Sequence, residues 1–91
     1  MKDARFFFAN LAVDVGRCVS ALQKGDSARY ETHLAEAYKT LAFLRGTKNA
    51  AAYEEGELLI RGLDYARELS TLSSFSSALD NMLIEYAPLA Q

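Results

Sequence analysis

The 91-residue sequence contains few of the residues that cross-link a chain, ligate metals or interrupt helices. It has one cysteine, one proline, one histidine and no tryptophan. A single cysteine excludes an internal disulfide and a multi-cysteine zinc site. One proline and five glycines leave few interruptions, which favours a small number of long helices. No stretch alternates apolar and β-branched residues with polar ones, so we predict no strand.

Long apolar runs and a strong net charge are missing as well. No segment reaches the roughly 18–20 apolar residues that span a bilayer, and the apolar run 6–13 lacks the flanks of a signal peptide. A net charge of -2 disfavours a nonspecific nucleic-acid binder, which normally carries a basic excess. Together with the lone Cys18 on an apolar stripe, these features predict a soluble protein of the reducing cytoplasm.

Apolar residues recur at steps of three and four along nearly the whole chain, the spacing that places side chains on one face of an α-helix. Four stripes follow this spacing: Phe8, Leu11, Val15, Cys18 and Leu22; Leu34, Ala37, Leu41 and Leu44; Gly56, Leu59, Leu63 and Ala66; and Phe75, Leu79, Met82 and Tyr86. We predict helices over about 3–23, 27–45 and 49–69, and a shorter one from Ser73 or Ser74 that ends before Pro88.

Short connections between these helices favour antiparallel neighbours. The prediction is an all-α fold, a small up-down antiparallel bundle of four helices in which residues 1–91 form one domain. One alternative stays open, because the serine-rich stretch 70–74 either separates the third and fourth helices or lies inside one long bent helix.

A basic residue followed by glycine marks each of the first two breaks. Lys24-Gly25 and Arg45-Gly46 combine a cation suited to a helix C-terminus with a glycine suited to the left-handed position after it. The expected caps of the helices that follow are Asp26 or Ser27, and Thr47 or Asn49.

Charge is distributed unevenly between the two halves. Residues 1–46 hold seven basic and five acidic groups, a net of +2, while residues 47–91 hold three basic and seven acidic groups, a net of -4. Complementary charge favours either packing of the halves within one molecule or head-to-tail attraction between subunits.

The sequence holds more aromatic surface near its start than one core stripe accommodates. Consecutive helical residues are about 100° apart, so the rings of Phe6-Phe7-Phe8 cannot all enter one core. The third helix also has a second apolar face beside its core stripe. The predicted self-association surface consists of Phe6, Phe7, Ala9, Val13, Leu58, Tyr65 and Leu69.

Polar candidates are few. His33 lies three residues before Glu36, and Glu54 and Glu57 belong to an acidic cluster on the third helix. An imidazole beside a carboxylate shares a proton or binds metal, and paired carboxylates hold Mg²⁺. Di-metal bundles need two Glu-x-x-His helices, however, and Mg²⁺ sites need a second carboxylate pair that this sequence lacks. We therefore predict no catalytic residue, no metal and no cofactor.

These observations predict a noncatalytic helical bundle that acts through protein–protein contacts, either with itself as a homodimer or with another protein. The alternative is a small enzyme or ligand-binding bundle whose site, built from His33, Glu36, Glu54 and Glu57, is completed at a subunit interface. A nucleic-acid-binding role is disfavoured and requires four basic side chains to converge on one surface: Arg17, Lys24, Arg29 and Lys39.

Overall fold

The computed structural model describes the backbone of residues 3–86 and the side chains of residues 3–82. Four helices follow one another: α1 (Ala4–Gln23), α2 (Ser27–Gly46), α3 (Ala50–Glu68) and α4 (Leu72–Tyr86). The described part of the chain contains no strand. The predicted all-α class and the four helices are confirmed, while the side chain of Tyr86 and residue Pro88 lie outside the described residues.

Side chains cap the first three helices at their N-termini. Asp3, Asp26 and Asn49 each accept a hydrogen bond from the backbone N–H three residues later, at 3.0–3.1 Å. Each cap satisfies a donor that the first turn of a helix leaves unpaired. Of the two caps predicted for α2 and the two for α3, Asp26 and Asn49 fill the positions.

Left-handed residues end the first three helices. Gly25 follows α1 with φ 72°, as predicted, and the Asp26 N–H closes the turn by donating to the Ala21 carbonyl at 2.9 Å. The same expectation for Gly46 is wrong, because Gly46 stays in α2 and Lys48 takes the left-handed position with φ 61°.

The third left-handed residue settles the alternative for the serine-rich stretch. Ser70 has φ 57°, and the Thr71 N–H donates to the Ala66 carbonyl at 2.8 Å. This turn ends α3 and lets α4 begin at Leu72, slightly earlier than predicted. The third and fourth helices are therefore separate.

Two contacts between helices give the relative directions of α1, α2 and α3. Phe7 stacks on Phe43 with ring centroids 5.6 Å apart, so the start of α1 lies beside the end of α2. Arg67 Nη1 donates to Tyr30 Oη at 3.1 Å, so the start of α2 lies beside the end of α3. A longest dimension of 37 Å fits one helix of 20 residues, about 30 Å long. The predicted up-down bundle is confirmed.

α1 is the central helix of the bundle. It packs against all three others, whereas α2 and α4 do not touch within the described residues. Burial extends well beyond its predicted stripe, and the buried residues of α1 are Phe8, Ala9, Leu11, Ala12, Asp14, Val15, Cys18, Val19 and Ala21. The small alanines let the neighbouring helices approach α1 from several sides.

Gly56 is a point of close approach between α3 and two other helices. A Cβ at this position would lie 2.8 Å from Leu11 Cδ2 and 3.0 Å from methyl carbons of Leu41 and Leu44. The missing side chain therefore lets α3 settle against both α1 and α2 at one point of the core.

None of the described helices combines the length and the apolar content that crossing a membrane requires.

Gly56→Ala tests the close approach of α3 to α1 and α2. We expect the variant to lower the free energy of unfolding by about 1–3 kcal/mol, because the added methyl overpacks three leucine methyls and outweighs the gain in helix propensity. Urea unfolding followed by circular dichroism measures the change.

The matched control is Gly46→Ala, where a Cβ would meet nothing within 4 Å. We expect that variant to be neutral or more stable by about 0.5–1 kcal/mol. Equal effects of the two substitutions would contradict the close approach at Gly56.

Candidate functional site

A carboxylate is buried between α1 and α2. Asp14 is only 7% exposed, and its Oδ2 accepts a hydrogen bond from Thr40 Oγ1 at 2.9 Å. Arg17 reaches the other oxygen from one turn away, with Nη1 3.9 Å from Oδ1. Because that contact is long and Arg17 is exposed, the hydroxyl of Thr40 is the main partner of the carboxylate inside the bundle.

Burial governs the acidity of this carboxyl. Desolvation raises the pKa of Asp14 above its ordinary value, and the nearby carboxylate of Glu36 raises it further. The hydrogen bond from Thr40 and the charge of Arg17 oppose the shift without cancelling it. A buried acid that destabilises its own fold is typical of functional positions, although ion-pair networks inside a structure produce the same effect.

Cys18 lies one turn further along α1, and burial also determines the acidity of its thiol. Burial, followed by the charges of Asp14 and Glu36, raises the pKa of its thiol to about 11. The thiol is fully buried and unpaired with any other cysteine. Since the thiolate is the nucleophile, Cys18 is a structural side chain rather than a reactive one.

His33 brings a second ionisable group towards the same carboxylates. Its Nδ1 lies 3.7 Å from Glu36 Oε1, a distance that suits an ion pair when the imidazole is protonated but exceeds a hydrogen bond. Nδ1 is buried and has no hydrogen-bond partner. His33 and Glu36 therefore lie side by side, and Glu36 is close enough to Asp14 for its charge to act on that carboxyl.

The acidic pair on α3 does not join this group. Gly56 contacts Leu41 and Leu44, which places Glu54 and Glu57 beside the second half of α2, about 12 Å along the axis from His33. The described residues contain no cluster of three or more His, Cys, Asp or Glu able to hold a metal ion.

Three of the four basic residues considered for nucleic acid converge on one cleft, which lies where α1 ends and α2 begins. The cleft has a volume of about 290 Å³, and we call it the basic cleft. Its lining residues are Arg17, Ser20, Ala21, Lys24, Asp26, Arg29 and His33. Lys39, the fourth basic residue, does not line it.

The predicted apolar face of α3 is exposed. Leu58 is 63%, Tyr65 64% and Leu69 68% exposed, and these three residues form what we call the α3 surface. Their spacing places them on one side of the helix, while Ile60 and Leu63 enter the core on another side. α3 thus buries one apolar face and leaves a second one open.

A second apolar surface joins the start of α1 to the end of α2. Phe6 meets Phe7 edge-on at 5.5 Å, and Phe7 stacks on Phe43, which is 53% exposed. We call these three rings the aromatic surface. Ala9 is fully buried inside the bundle and so lies outside this surface, and Val13 is half-buried.

The sequence contains a signal for the buried pair of Asp14 and Thr40. Asp14 lies three residues after Leu11 and four before Cys18, so it falls on the core stripe of α1. Thr40 occupies the same place between Ala37 and Leu44 on α2. Two polar residues on facing apolar stripes predict a buried hydrogen bond between helices.

Asp14→Asn tests the energetic role of the buried carboxylate. A raised pKa in the folded state means that ionised Asp14 opposes folding, so its contribution to stability is most favourable below the unfolded pKa and is lost as pH rises through the folded pKa. Asparagine keeps an oxygen for Thr40 and carries no charge. We expect the stability of the variant relative to the native protein, measured by urea unfolding, to rise as the pH increases above the ordinary aspartate pKa of 3.8.

Asp64→Asn is the matched control, since Asp64 is exposed on α3. It should change stability by less than about 0.5 kcal/mol. A relative stability of Asp14→Asn that stays constant across this pH range would contradict the buried-charge account.

Comparisons with known proteins assign no family to this chain. No protein-family model, no curated protein and no solved structure matches it. The described residues offer three candidate binding features: the basic cleft, the α3 surface and the aromatic surface.

Proposed function

We propose that this protein is a noncatalytic helical bundle that acts through protein–protein contacts as a homo-oligomer. The observation that carries the proposal is the α3 surface, where three large apolar side chains lie together and are each almost two-thirds exposed. Single exposed apolar residues are ordinary, but an aligned group on one helix is typical of an interface. The compartment we propose is the reducing cytoplasm, in keeping with a single buried free cysteine.

The energy available from this surface is sufficient for association. Burying one large apolar side chain contributes on the order of 1.5–3 kcal/mol. Three such side chains on each copy supply more than the lower estimates of the entropy lost when two molecules associate. The aromatic surface adds Phe43, which is half-exposed even though Phe7 covers one face of its ring.

The partner we propose is a second copy, with the α3 surface of one molecule placed on the aromatic surface of the other. Acidic residues predominate around the α3 surface: Glu54, Asp64 and Glu68 are exposed there against one arginine, Arg61, which lies between Leu58 and Tyr65. Pairing two α3 surfaces would bring these acids together, which is unfavourable.

Basic residues accompany the aromatic surface. Arg5 and Asp3 line the same cleft as Phe7 and Phe43, and Lys39 is exposed one turn before Phe43, so the basic excess at this surface comes from Lys39. The half of the chain that carries the aromatic surface, residues 1–46, has a net charge of +2, and the half that carries the α3 surface, residues 47–91, has a net charge of -4. Contact between unlike surfaces therefore joins opposite charges, which favours the correct encounter and orientation.

Leu58→Asp combined with Tyr65→Asp tests the α3 surface. We expect the native protein to sediment above its monomer mass of 10.1 kDa, and the double variant to weaken self-association by at least ~100-fold because two apolar contacts become charged. Sedimentation equilibrium measures the mass, and circular dichroism verifies that the variant is folded.

The control adds the same charge at Ser77→Asp and Asn81→Asp, two exposed positions of α4. Self-association should persist in this control. A native protein that remains monomeric at high concentration, or a double variant that associates as the native protein does, would refute the proposal.

Mixing two defective variants distinguishes the proposed pairing from pairing of two α3 surfaces. Phe43→Asp places a charge in the aromatic surface and leaves the α3 surface intact, so we expect the variant to be monomeric alone. An equimolar mixture with Leu58→Asp/Tyr65→Asp should regain a dimer, because one intact surface of each kind is present. Dimers of Phe43→Asp alone would instead indicate that α3 surfaces pair with each other.

A further inference from the structure

The basic cleft concentrates positive charge on an acidic protein. Arg17, Lys24 and Arg29 line it and only Asp26 opposes them, so the lining carries +2 even with a neutral imidazole. The whole chain carries -2. A concave site with charge opposite to that of its protein attracts anions locally.

The cations of the cleft are only lightly engaged. Arg17 Nη1 lies 3.9 Å from Asp14, and Arg29 Nε lies 3.6 Å from Asp26. Both contacts are longer than a hydrogen bond and involve one nitrogen, so most of the five N–H donors of each guanidinium stay available. No carboxylate of the described residues lies within ion-pair distance of Lys24.

His33 supplies an independent observation at the same place. Its side chain lines the cleft, and its buried Nδ1 has no hydrogen-bond partner. A buried nitrogen without a partner is unfavourable, and the nearest acidic atom, Glu36 Oε1, is 3.7 Å away.

Two further groups complement an anion. The hydroxyl of Ser20 lines the cleft and can donate a hydrogen bond. α2 begins at the cleft, so the positive end of its dipole points there, although the cap Asp26 offsets part of that field.

We propose that the basic cleft binds a small phosphorylated anion, a soluble phosphate monoester or diphosphate, through Arg17, Lys24, Arg29 and His33. Arginine presents paired donors that match the oxygens of a phosphoryl group, and lysine adds a compact charge. This role is separate from self-association, since neither the α3 surface nor the aromatic surface contributes to the cleft.

Size and charge favour a small ligand over a polynucleotide. A volume of about 290 Å³ lies at the small end of ligand pockets. Nucleic-acid binding needs a row of phosphate contacts across a basic surface, but Lys39 lies outside the cleft and the chain as a whole is acidic.

Titration with pyrophosphate and with orthophosphate at constant ionic strength tests the site. We expect pyrophosphate to bind with one-to-one stoichiometry by calorimetry and to raise the unfolding midpoint by about 4–8 °C at about five times its dissociation constant. In nitrogen-15 NMR spectra, amide shifts should concentrate between residues 17 and 33.

Lys24→Gln with Arg29→Gln should raise the dissociation constant at least ~10-fold, because two charged contacts are lost. Arg45→Gln with Lys48→Gln removes the same charge from exposed positions outside the cleft and should bind as the native protein does.

Three results would overturn the proposal. The first is no binding of either anion by the native protein. The second is equal weakening in the two double variants, which would indicate a nonspecific effect of net charge. The third is binding only to oligonucleotides or to vesicles that contain phosphatidic acid, which would identify a macromolecular or membrane source of phosphate.

Discussion

The packing of α1 against three neighbours is the constraint on which the rest of the structure depends. A helix covered on several sides must bury residues beyond a single stripe, and α1 does so with alanines where its neighbours come close. The same coverage carries Asp14 into the interior, because the position lies on the face that meets α2. Thr40 satisfies the carboxylate there, and the desolvated charge remains as the unfavourable part of the arrangement.

The central position of α1 also explains why one apolar face of α3 stays exposed. α1 meets α2, α3 and α4, and Gly56 lets α3 reach both α1 and α2 at one point. Ile60 and Leu63 then complete the core, so Leu58, Tyr65 and Leu69 have no place inside it. A chain of this size builds a core of limited extent, and association is a common way for small domains to bury more apolar area.

The helical spacing of apolar residues in the sequence is sufficient to predict most of the fold. The four stripes predicted the helices, and Gly25 predicted its turn because only a left-handed residue closes that connection so tightly. The prediction of a left-handed Gly46 was wrong because a glycine near a helix end does not have to adopt that conformation. Lys48 adopts it two positions later. Local chemistry marks the neighbourhood of a turn more reliably than the residue that makes it.

The candidate sites depend on placement between helices, which is harder to predict. The exposure of Leu58, Tyr65 and Leu69 followed from their angular position on one helix. The burial of Asp14 depended on which helix covers its face, and the basic cleft depended on how α1 and α2 meet at Gly25. The burial of Asp14 and the position of the basic cleft both depend on how two helices pack together. The pattern of a single helix predicts such a feature only where polar residues, such as Asp14 and Thr40, interrupt the apolar stripes of both helices.

The two connections that flank α3 both place an ordinary side chain in the left-handed region, Lys48 before it and Ser70 after it. Such a conformation is disfavoured by roughly 1–2 kcal/mol for a residue with a Cβ. α3, which carries the α3 surface, thus lies between two strained connections. Its position in the bundle depends on the interior contacts at Gly56 and Leu63. A molecule that binds the outer side of this helix would therefore contact an element whose two connections both carry backbone strain.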